Sequence, residues 1–211
     1  MVAIKICGIS TPDALDAAIA GKADFVGLNF YPPSPRHVDS WAASALAMRG
    51  GVAIGRVGVF VDAADDLITE AVNAASLDAI QMHGHETPQR VAEIRSRFNK
   101  PVWKVLPVSG AGDVAKASAY TDAADFLLFD AKTPEDAALP GGMGLRFDWS
   151  LLGAYRGPVK WGLAGGLTAQ NVSEAIRQTG ATLVDTSSGV ETGPGLKDVD
   201  KIAAFCKAAR I

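Results

Sequence analysis

Eight short apolar segments, separated by stretches with helical spacing, are the feature that most constrains the fold of this chain. The segments are rich in Val, Ile, Leu and Phe, and several have no polar alternation, which is typical of strands buried on both faces of a parallel sheet. They are VAIKIC (2–7), DFVGLNF (24–30), RVGVFV (56–61), LDAIQMH (77–83), PVWKVLPV (101–108), DFLLFD (125–130), PVKWGLA (158–164) and TLVDTSS (182–188).

Between the segments, apolar residues recur at three- and four-residue spacing, as on the buried face of an amphipathic helix. The first such stretch has Thr11 as a candidate N-cap and Pro12 at the first helical position, and it closes at Gly21. Clear helices are predicted over 11–22, 64–76, 87–98, 168–180 and 198–210, and weaker ones over 39–49, 111–121 and 147–154.

Eight strand–helix units in a chain of 211 residues describe a compact (β/α)8 TIM barrel. The alternative is an open doubly wound sheet, which usually has fewer strands and a glycine fingerprint after the first one. The stretch CGIST (7–11) offers no such fingerprint. The alternation continues without a change in composition, so we predict one domain over residues 1–211.

Charge and cysteine content exclude several classes of protein. The net charge is −3 and there is no run of Lys or Arg, which argues against a nucleic-acid binder. Cys7 and Cys206 lie too far apart for a zinc motif or a disulfide framework, which favours free thiols in a reducing cytoplasm. The N-terminus lacks a secretory signal, and no apolar segment approaches the ~18–20 residues of a membrane span. We therefore expect a soluble cytoplasmic protein without a membrane partner.

In a barrel, functional residues lie at the carboxyl ends of the strands and on the loops that follow. Six of the eight predicted strands end in polar or glycine-rich residues, more than stability alone requires. These are Cys7 after strand 1, Asn29 with the loop YPPSPRH (31–37) after strand 2, His83 after strand 4, Asp130 after strand 6, and the stretches 164–166 and 187–189 after strands 7 and 8.

The last two loops predict a phosphate site. Gly165 and Gly166 follow strand 7, and Ser187, Ser188 and Gly189 follow strand 8. Barrels commonly bind phosphate with the loops after these two strands, through backbone N–H groups, hydroxyls and a helix N-terminus. The alternative is that the glycines only serve tight turns.

Cys7 and Asp130 are candidates for acid and base catalysis. Strands 1 and 6 lie on different sides of an eight-stranded ring, so a thiol and a carboxyl at their ends can act on a substrate from two sides. A free thiol has a pKa of about 8.5, so Cys7 needs help from Lys5 or from a charge on the substrate. Asp130 must instead keep its proton near neutral pH. The alternatives are an apolar filler for Cys7 and a cap or loop ion pair for Asp130.

Arg36 and His83 are candidates for substrate binding. Three prolines stiffen the loop that holds Arg36, and a rigidly held guanidinium can bind a carboxylate through two hydrogen bonds. A solvated surface arginine is the alternative. His83 could orient a ligand, or it could be hydrogen-bonded scaffolding. The histidines have no metal-ligand spacing, so no metal site is predicted.

Eight stretches match, in order, the motifs of a known family. They are KICGI, FYPPSPR, VGVFVD, IQMHG, LLFD, GGMGLRFDW, LAGGLTAQNV and VDTSSGVE, the last followed by GLKD. From Lys5 to about Asp198 the chain thus resembles phosphoribosylanthranilate isomerase, the single-domain barrel enzyme of tryptophan biosynthesis, whose TIM barrel is of the ribulose-phosphate-binding type.

The resemblance implies a cofactor-free Amadori rearrangement of N-(5′-phosphoribosyl)anthranilate, a small phosphorylated substrate. It implies that Asp130 protonates the ribose ring oxygen and that Cys7 removes the proton from C2′. It also implies that Arg36 binds the anthranilate carboxylate. The phosphate would be bound by Gly165, Gly166, Ser187, Ser188 and Gly189.

The stretch 131–149 resembles the mobile loop that follows strand 6 in the family. Gly142 and Gly144 are expected to let it close over the substrate and contact it. The family usually has a small hydroxyl residue and a basic residue where this chain has Met143 and Leu145. This departure leaves the acid and base in place and concerns the contacts that the closed loop makes.

Two other functions remain open at this point. A barrel that only senses a phosphorylated metabolite would need the phosphate loops, but it would have no use for Cys7 opposite Asp130. A related isomerase of histidine biosynthesis would use two carboxylates, one of them after strand 1, where this chain has Cys7. The sequence does not decide between a monomer and a homodimer.

Overall fold

A computed structural model describes residues 1–133 and 144–210 as a closed barrel of eight parallel strands. Each strand pairs with its sequence neighbour, and β8 returns to pair with β1, which confirms the predicted (β/α)8 barrel. The strands are β1 Ala3–Cys7, β2 Phe25–Asn29, β3 Gly55–Phe60, β4 Ala79–Met82, β5 Val102–Val108, β6 Phe126–Ala131, β7 Lys160–Leu163 and β8 Leu183–Thr186.

Helices surround the barrel at or near the predicted places. Thr11 caps the first helix by accepting a hydrogen bond from Ala14 N at 3.4 Å, and the helix ends at Gly21 as expected. The α-helices are α1 Pro12–Ala20, α2 Ser40–Gly50, α3 Asp65–Ala75, α4 Pro88–Phe98, α5 Ala111–Ala115, α6 Val172–Thr179 and α7 Val199–Ala209. Short 3-10 helices cover Lys116–Tyr120, Trp149–Ala154 and Ser188–Val190.

Three helical predictions differ from the structure. The stretch 147–154 forms only a 3-10 helix, which begins where Asp148 Oδ1 accepts a hydrogen bond from Ser150 N at 2.9 Å. The stretch 111–121 divides into a short α-helix and a 3-10 helix. The helix predicted from 168 begins at Val172, because Asn171 closes a turn first by accepting a hydrogen bond from Thr168 N at 2.8 Å.

A small hairpin between β8 and α7 was not predicted. Its strands are β9 Glu191–Gly193 and β10 Leu196–Lys197, which pair antiparallel. Gly195, in the turn between them, has φ +81°, a conformation that glycine adopts without steric cost. Strands of three and two residues are too short to produce an alternating pattern, so the sequence carried no signal for this hairpin.

The barrel interior changes from apolar to charged along its axis. At the amino-terminal ends of the strands, Trp103 packs against Phe25 and Phe126, with ring centroids 5.2 and 4.9 Å apart. Because strand side chains alternate, Lys5 and Cys7 of β1 lie on the same face, two residues apart. The polar side chains of the barrel interior therefore lie at the carboxyl ends of the strands, and an apolar layer lies at the amino-terminal ends.

A second apolar layer lies between the sheet and the helices. Phe129 of β6 and Phe205 of α7 are fully buried there, and burying each such side chain stabilises the fold by about 1.5–3 kcal/mol. This layer holds the strands in register and so fixes the positions of the residues at their ends. Among the helices that the structure describes, none is long and apolar enough to cross a membrane.

Candidate active site

A pocket opens at the carboxyl ends of the barrel strands, as the barrel prediction requires. It is concave and open to solvent at its mouth, and polar groups from several strands converge in it, as is common in small-molecule sites. Every predicted site residue within the described ranges lines it: Cys7, Arg36, His83, Asp130, Gly144, Gly165, Gly166, Ser187, Ser188 and Gly189. Gly142 and Met143 lie outside the described residues.

Asp130 lies at the end of β6, where its carboxyl is largely buried. Oδ1 accepts a hydrogen bond from Ala131 N at 2.8 Å, and Oδ2 is 3.5 Å from Nε2 of His83. A Cβ at Gly165 would lie 3.0 Å from Asp130 Oδ1 and 2.6 Å from Ala131 N, so only glycine lets the loop after β7 pass this closely. The carboxyl is therefore held between β4 and the β7 loop, with its Oδ2 side toward His83.

Cys7 lies next to a buried ion pair. Lys5 is fully buried, and its Nζ donates to Asp185 Oδ2 at 2.9 Å, across the seam where β1 pairs with β8. Burial alone lowers the pKa of Lys5, but Asp185 and Cys7 outweigh burial and raise it. The ammonium beside the thiol is therefore charged at neutral pH.

The pKa of the Cys7 thiol lies above its ordinary value. Burial is the main cause, and the nearby Asp185 carboxylate adds to it, while the ammonium groups of Lys5 and Lys197 act in the opposite direction. Lys5 thus acts on the thiol in the expected direction, but its charge is shared with Asp185 and burial outweighs its effect. A further positive charge is needed to form the thiolate.

Asp185 belongs to the site but was missed in the sequence. Its Oδ1 atom is buried and has no hydrogen-bond partner in the described part of the chain, and the residue lines the pocket. A signal was present, since Lys5 and Asp185 are charged residues that each follow apolar residues within a short predicted strand. In a closed barrel the first and last strands are neighbours, so opposite charges at matching heights predict an ion pair.

Removing the cation of this pair should destabilise the protein. We expect Lys5→Met to lower the free energy of unfolding by about 3–5 kcal/mol, because it leaves Asp185 buried without its partner. Urea unfolding followed by circular dichroism measures the change. Lys207→Met, on the exposed side of α7, is the matched control and should change little; equal stabilities of the two variants would contradict the role of the pair.

Arg36 is buried rather than solvated, so the surface alternative is wrong. It is only 6% exposed, and its Nε and Nη2 atoms donate to Oε1 and Oε2 of Glu191, both at 2.8 Å. A Cβ at Gly8 would lie 2.6 Å from Arg36 Cδ, and Gly8 has φ +74°. Glycine therefore follows Cys7 because the stem of Arg36 crosses the backbone at that point.

Lys197 of the hairpin joins this cluster. Its Nζ atom is 2.5 Å from Glu191 Oε1 and 3.1 Å from both the carbonyl and the Oγ of Ser187. Burial alone raises the pKa of Glu191, but hydrogen bonds and charge from Arg36 and Lys197 outweigh burial and lower it. Burial also lowers the pKa of Lys197, an effect that Glu191 opposes. Neither Glu191 nor Lys197 was singled out in the sequence.

The two predicted phosphate loops pack directly on each other. Gly165 and Gly166 have φ +89° and +60°, and a Cβ at Gly189 would collide with the carbonyl oxygen of Leu167. Thr186 Oγ1 donates to the same Leu167 oxygen at 2.8 Å. The loops after β7 and β8 thus approach each other so closely that only glycine fits at these positions. Together the two loops form a concave surface.

The described end of the loop after β6 closes one side of this surface. A Cβ at Gly166 would collide with Cγ of Arg146 and lie 2.8 Å from the carbonyl oxygen of Gly144. Leu145, which departs from the family pattern, lines the pocket and is partly exposed. The residues that follow the undescribed stretch are thus in contact with the predicted phosphate loops.

A closed parallel barrel that brings a carboxyl, a thiol and two glycine-rich loops into one pocket at the carboxyl ends of its strands has the architecture of a TIM-barrel enzyme. Residues 4–208 match the family model for N-(5′-phosphoribosyl)anthranilate (PRA) isomerase. A relative from Paramagnetospirillum magneticum, named N-(5′-phosphoribosyl)anthranilate isomerase, is 52% identical over 209 residues, which are 99% of this chain and 97% of the relative. This chain belongs to the PRA isomerase family.

Solved structures agree with this assignment. Phosphoribosyl anthranilate isomerase from Thermotoga maritima matches with a TM-score of 0.87 and 36% identity, covering 100% of this chain and 99% of that one. A phosphoribosyl anthranilate isomerase in complex with reduced 1-(o-carboxyphenylamino)-1-deoxyribulose 5-phosphate matches with a TM-score of 0.84 and 33% identity, over 100% and 99% of the two chains. The described part of the chain therefore has the barrel fold of these enzymes.

Proposed function

We propose that this protein converts N-(5′-phosphoribosyl)anthranilate to 1-(2-carboxyphenylamino)-1-deoxyribulose 5-phosphate, with Asp130 as general acid and Cys7 as general base. Family membership supports the reaction. The observation that carries the assignment of residues is that a carboxyl and a thiol from distant strands line one pocket with the two glycine-rich loops.

Asp130 starts the reaction by giving its proton to the ring oxygen of the ribose. The C1′–O bond breaks, and the lone pair of the anilino nitrogen forms a C=N bond, so the product of this step is a Schiff-base cation. His83, 3.5 Å from the Asp130 carboxyl, helps to orient this group. Positioned general acids typically contribute about 10²–10⁴-fold to the rate.

Cys7 completes the reaction by taking the proton from C2′. The electrons of the C2′–H bond form a C=C bond and neutralise the iminium nitrogen, which gives an enolamine that tautomerises to the ketone. The cation made in the first step also supplies the positive charge that the thiol lacks, because a nearby cation lowers the pKa of a thiol. The two steps are thereby ordered: once the cation has formed, Cys7 releases its own proton to solvent at the pocket mouth, and the resulting thiolate then takes the proton from C2′.

The two ends of the substrate would be held on opposite sides of the reacting carbons. Arg36 binds the anthranilate carboxylate, and the phosphate lies on the loops after β7 and β8. Holding both ends places C1′ and C2′ between acid and base, and such orientation can account for a large part of a rate enhancement. The phosphate residues would be Gly165, Gly166, Ser187, Ser188 and Gly189, with Gly142 and Gly144 on the loop after β6.

The test is the loss of fluorescence when the protein is added to freshly made N-(5′-phosphoribosyl)anthranilate. Turnover without added metal or cofactor is the expected result. Binding of the substrate without turnover would instead favour the sensor alternative. Turnover of a histidine-pathway aminoaldose at a higher kcat/KM would favour the other isomerase.

The raised pKa of Cys7 gives a measurement that does not depend on turnover. In the free protein, burial keeps the thiol protonated at neutral pH, so alkylation by iodoacetamide should accelerate about tenfold per pH unit. It should not level off below pH ~9. Mass spectrometry separates this reaction from that of Cys206, whose pKa burial raises to about 11. A rate of Cys7 alkylation that levels off near pH 7 would contradict the raised pKa of the thiol.

Three further expectations belong to the proposal. The chain forms one domain, since β1 and β8 close a single barrel. It works in the cytoplasm, where its two free thiols would stay reduced. It acts as a monomer or a homodimer, which light scattering would decide.

A further inference from the structure

We propose that Lys197 is a positioning residue that sets both ends of the substrate site. It acts through Glu191 on Arg36, and through its hydrogen bonds on the hydroxyl of Ser187. This inference rests on the proposed function, because Arg36 and Ser187 are there assigned to the carboxylate and to the phosphate.

The burial of Lys197 is the first argument. Its side chain is only 1% exposed, whereas lysine is almost never buried unless it is paired. The ammonium contacts three oxygen atoms of Glu191 and Ser187, at 2.5, 3.1 and 3.1 Å. An ammonium has three donors, so this group is fully used in joining the two residues.

The charge of the cluster is the second argument. Arg36 and Glu191 form a bidentate pair that by itself is neutral. Lys197 adds one positive charge to the same carboxylate, so the three side chains together carry +1. A buried cluster with this charge attracts a carboxylate, whereas a neutral pair would not. Lys197 therefore keeps Arg36 effective as an anion-binding group while Glu191 holds it in place.

The hydroxyl of Ser187 is the third argument. A serine hydroxyl has one hydrogen to donate and two lone pairs to accept with. Because Lys197 donates to Oγ at 3.1 Å, one lone pair is occupied and the hydrogen must point elsewhere. Ser187 lines the pocket, so the hydroxyl is oriented to donate to an anion there.

The hairpin β9–β10 links the proposed carboxylate and phosphate ends of the substrate site. Glu191 lies on β9 and Lys197 on β10, directly after the second phosphate loop. At its tip, a Cβ on Gly195 would collide with the carbonyl oxygen of Pro35, so the hairpin lies against the loop that carries Arg36. A side chain at position 195 would push these two segments apart.

Two binding probes separate the two actions of Lys197. Reduced 1-(o-carboxyphenylamino)-1-deoxyribulose 5-phosphate has both a carboxylate and a phosphate, and inorganic phosphate has only the second. We expect Lys197→Met to weaken the calorimetric Kd of the reduced product by about 10- to 100-fold, the range for losing hydrogen bonds to a charged group. We expect Lys197→Met also to weaken inhibition by inorganic phosphate. Arg36→Met should weaken the binding of the reduced product and leave inhibition by phosphate unchanged.

The matched control is Lys201→Met. Lys201 Nζ donates to the backbone carbonyl of Glu191 at 2.7 Å, but Lys201 is exposed and does not contact the carboxylate. The variant Lys201→Met removes the same charge from a neighbouring position. It should leave the affinities for the reduced product and for inorganic phosphate unchanged. Equal effects of the two variants would mean that general charge, and not positioning, is responsible.

A double-mutant cycle tests whether Lys197 acts through Arg36. In the Arg36→Met background, the effect of Lys197→Met on the reduced product should shrink toward its effect on phosphate alone, since residues in one network are not additive. An undiminished effect would overturn the link to Arg36. Unchanged phosphate inhibition in Lys197→Met would overturn the link to Ser187.

If Lys197→Met does not fold, as circular dichroism would show, Lys197→Gln is used in its place. Glutamine keeps a donor but has no charge, so the reduced product should still bind more weakly, and unchanged binding would overturn the proposal. A wild-type protein that binds the probe without turning substrate over would refute the proposed function instead. Turnover by the wild type with unaltered affinities in the variants would refute only this inference.

Discussion

Replacing Cys7 by alanine should lower kcat by about 10²- to 10⁴-fold, the contribution of a positioned general base. The substrate should still bind, because the residues proposed for its carboxylate and phosphate are untouched. Stopped-flow fluorescence with N-(5′-phosphoribosyl)anthranilate measures kcat and KM separately, and the loss should fall on kcat. Cys7→Ser should be nearly as slow, since a hydroxyl is a far weaker acid than a thiol.

The other cysteine offers the matched control for this experiment. Cys206 is buried in α7 among apolar residues on the outside of the barrel, and Cys206→Ala should keep kcat. Near-normal turnover by Cys7→Ala would return Cys7 to the role of an apolar filler. Equal losses in the two variants would indicate a general effect of removing thiols.

Replacing Asp130 by asparagine should produce the second large loss of activity. The amide has nearly the same shape and can keep the hydrogen bond from Ala131, but it has no acidic proton for the ring oxygen. We expect kcat to fall by about 10²- to 10⁴-fold with little change in the stability of the fold. The exposed Asp122 is the control, and Asp122→Asn should be as active as the wild type.

The variant Asp130→Asn also distinguishes the acid from a residue that only shapes the pocket. An analogue whose ribose ring is already open does not need the first proton transfer. The reduced product should therefore bind Asp130→Asn about as tightly as the wild type. Greatly weakened binding together with slow turnover would mean that Asp130 serves mainly to hold the ligand.

The fold and the candidate acid and base could be predicted from sequence because their signals are local. Apolar runs and helical spacing repeat along the chain, and Cys7 and Asp130 stand out as polar ends of apolar strands. The ion pairs could not be predicted in the same way. Arg36 and Glu191 are 155 residues apart. They come together because the hairpin packs against the loop that carries Arg36.

The ion pair between Lys5 and Asp185 has a consequence for biosynthesis of the protein. Its partners are 180 residues apart, and they belong to the first and last strands, so a ribosome must release almost the whole chain before they can meet. Domains form as units during synthesis, and distant contacts are slow to form. A nascent chain that stops before β8 has neither a closed barrel nor the carboxylate partner of Lys5, the cation beside Cys7. Closing the barrel and assembling its chemistry are thus the same event.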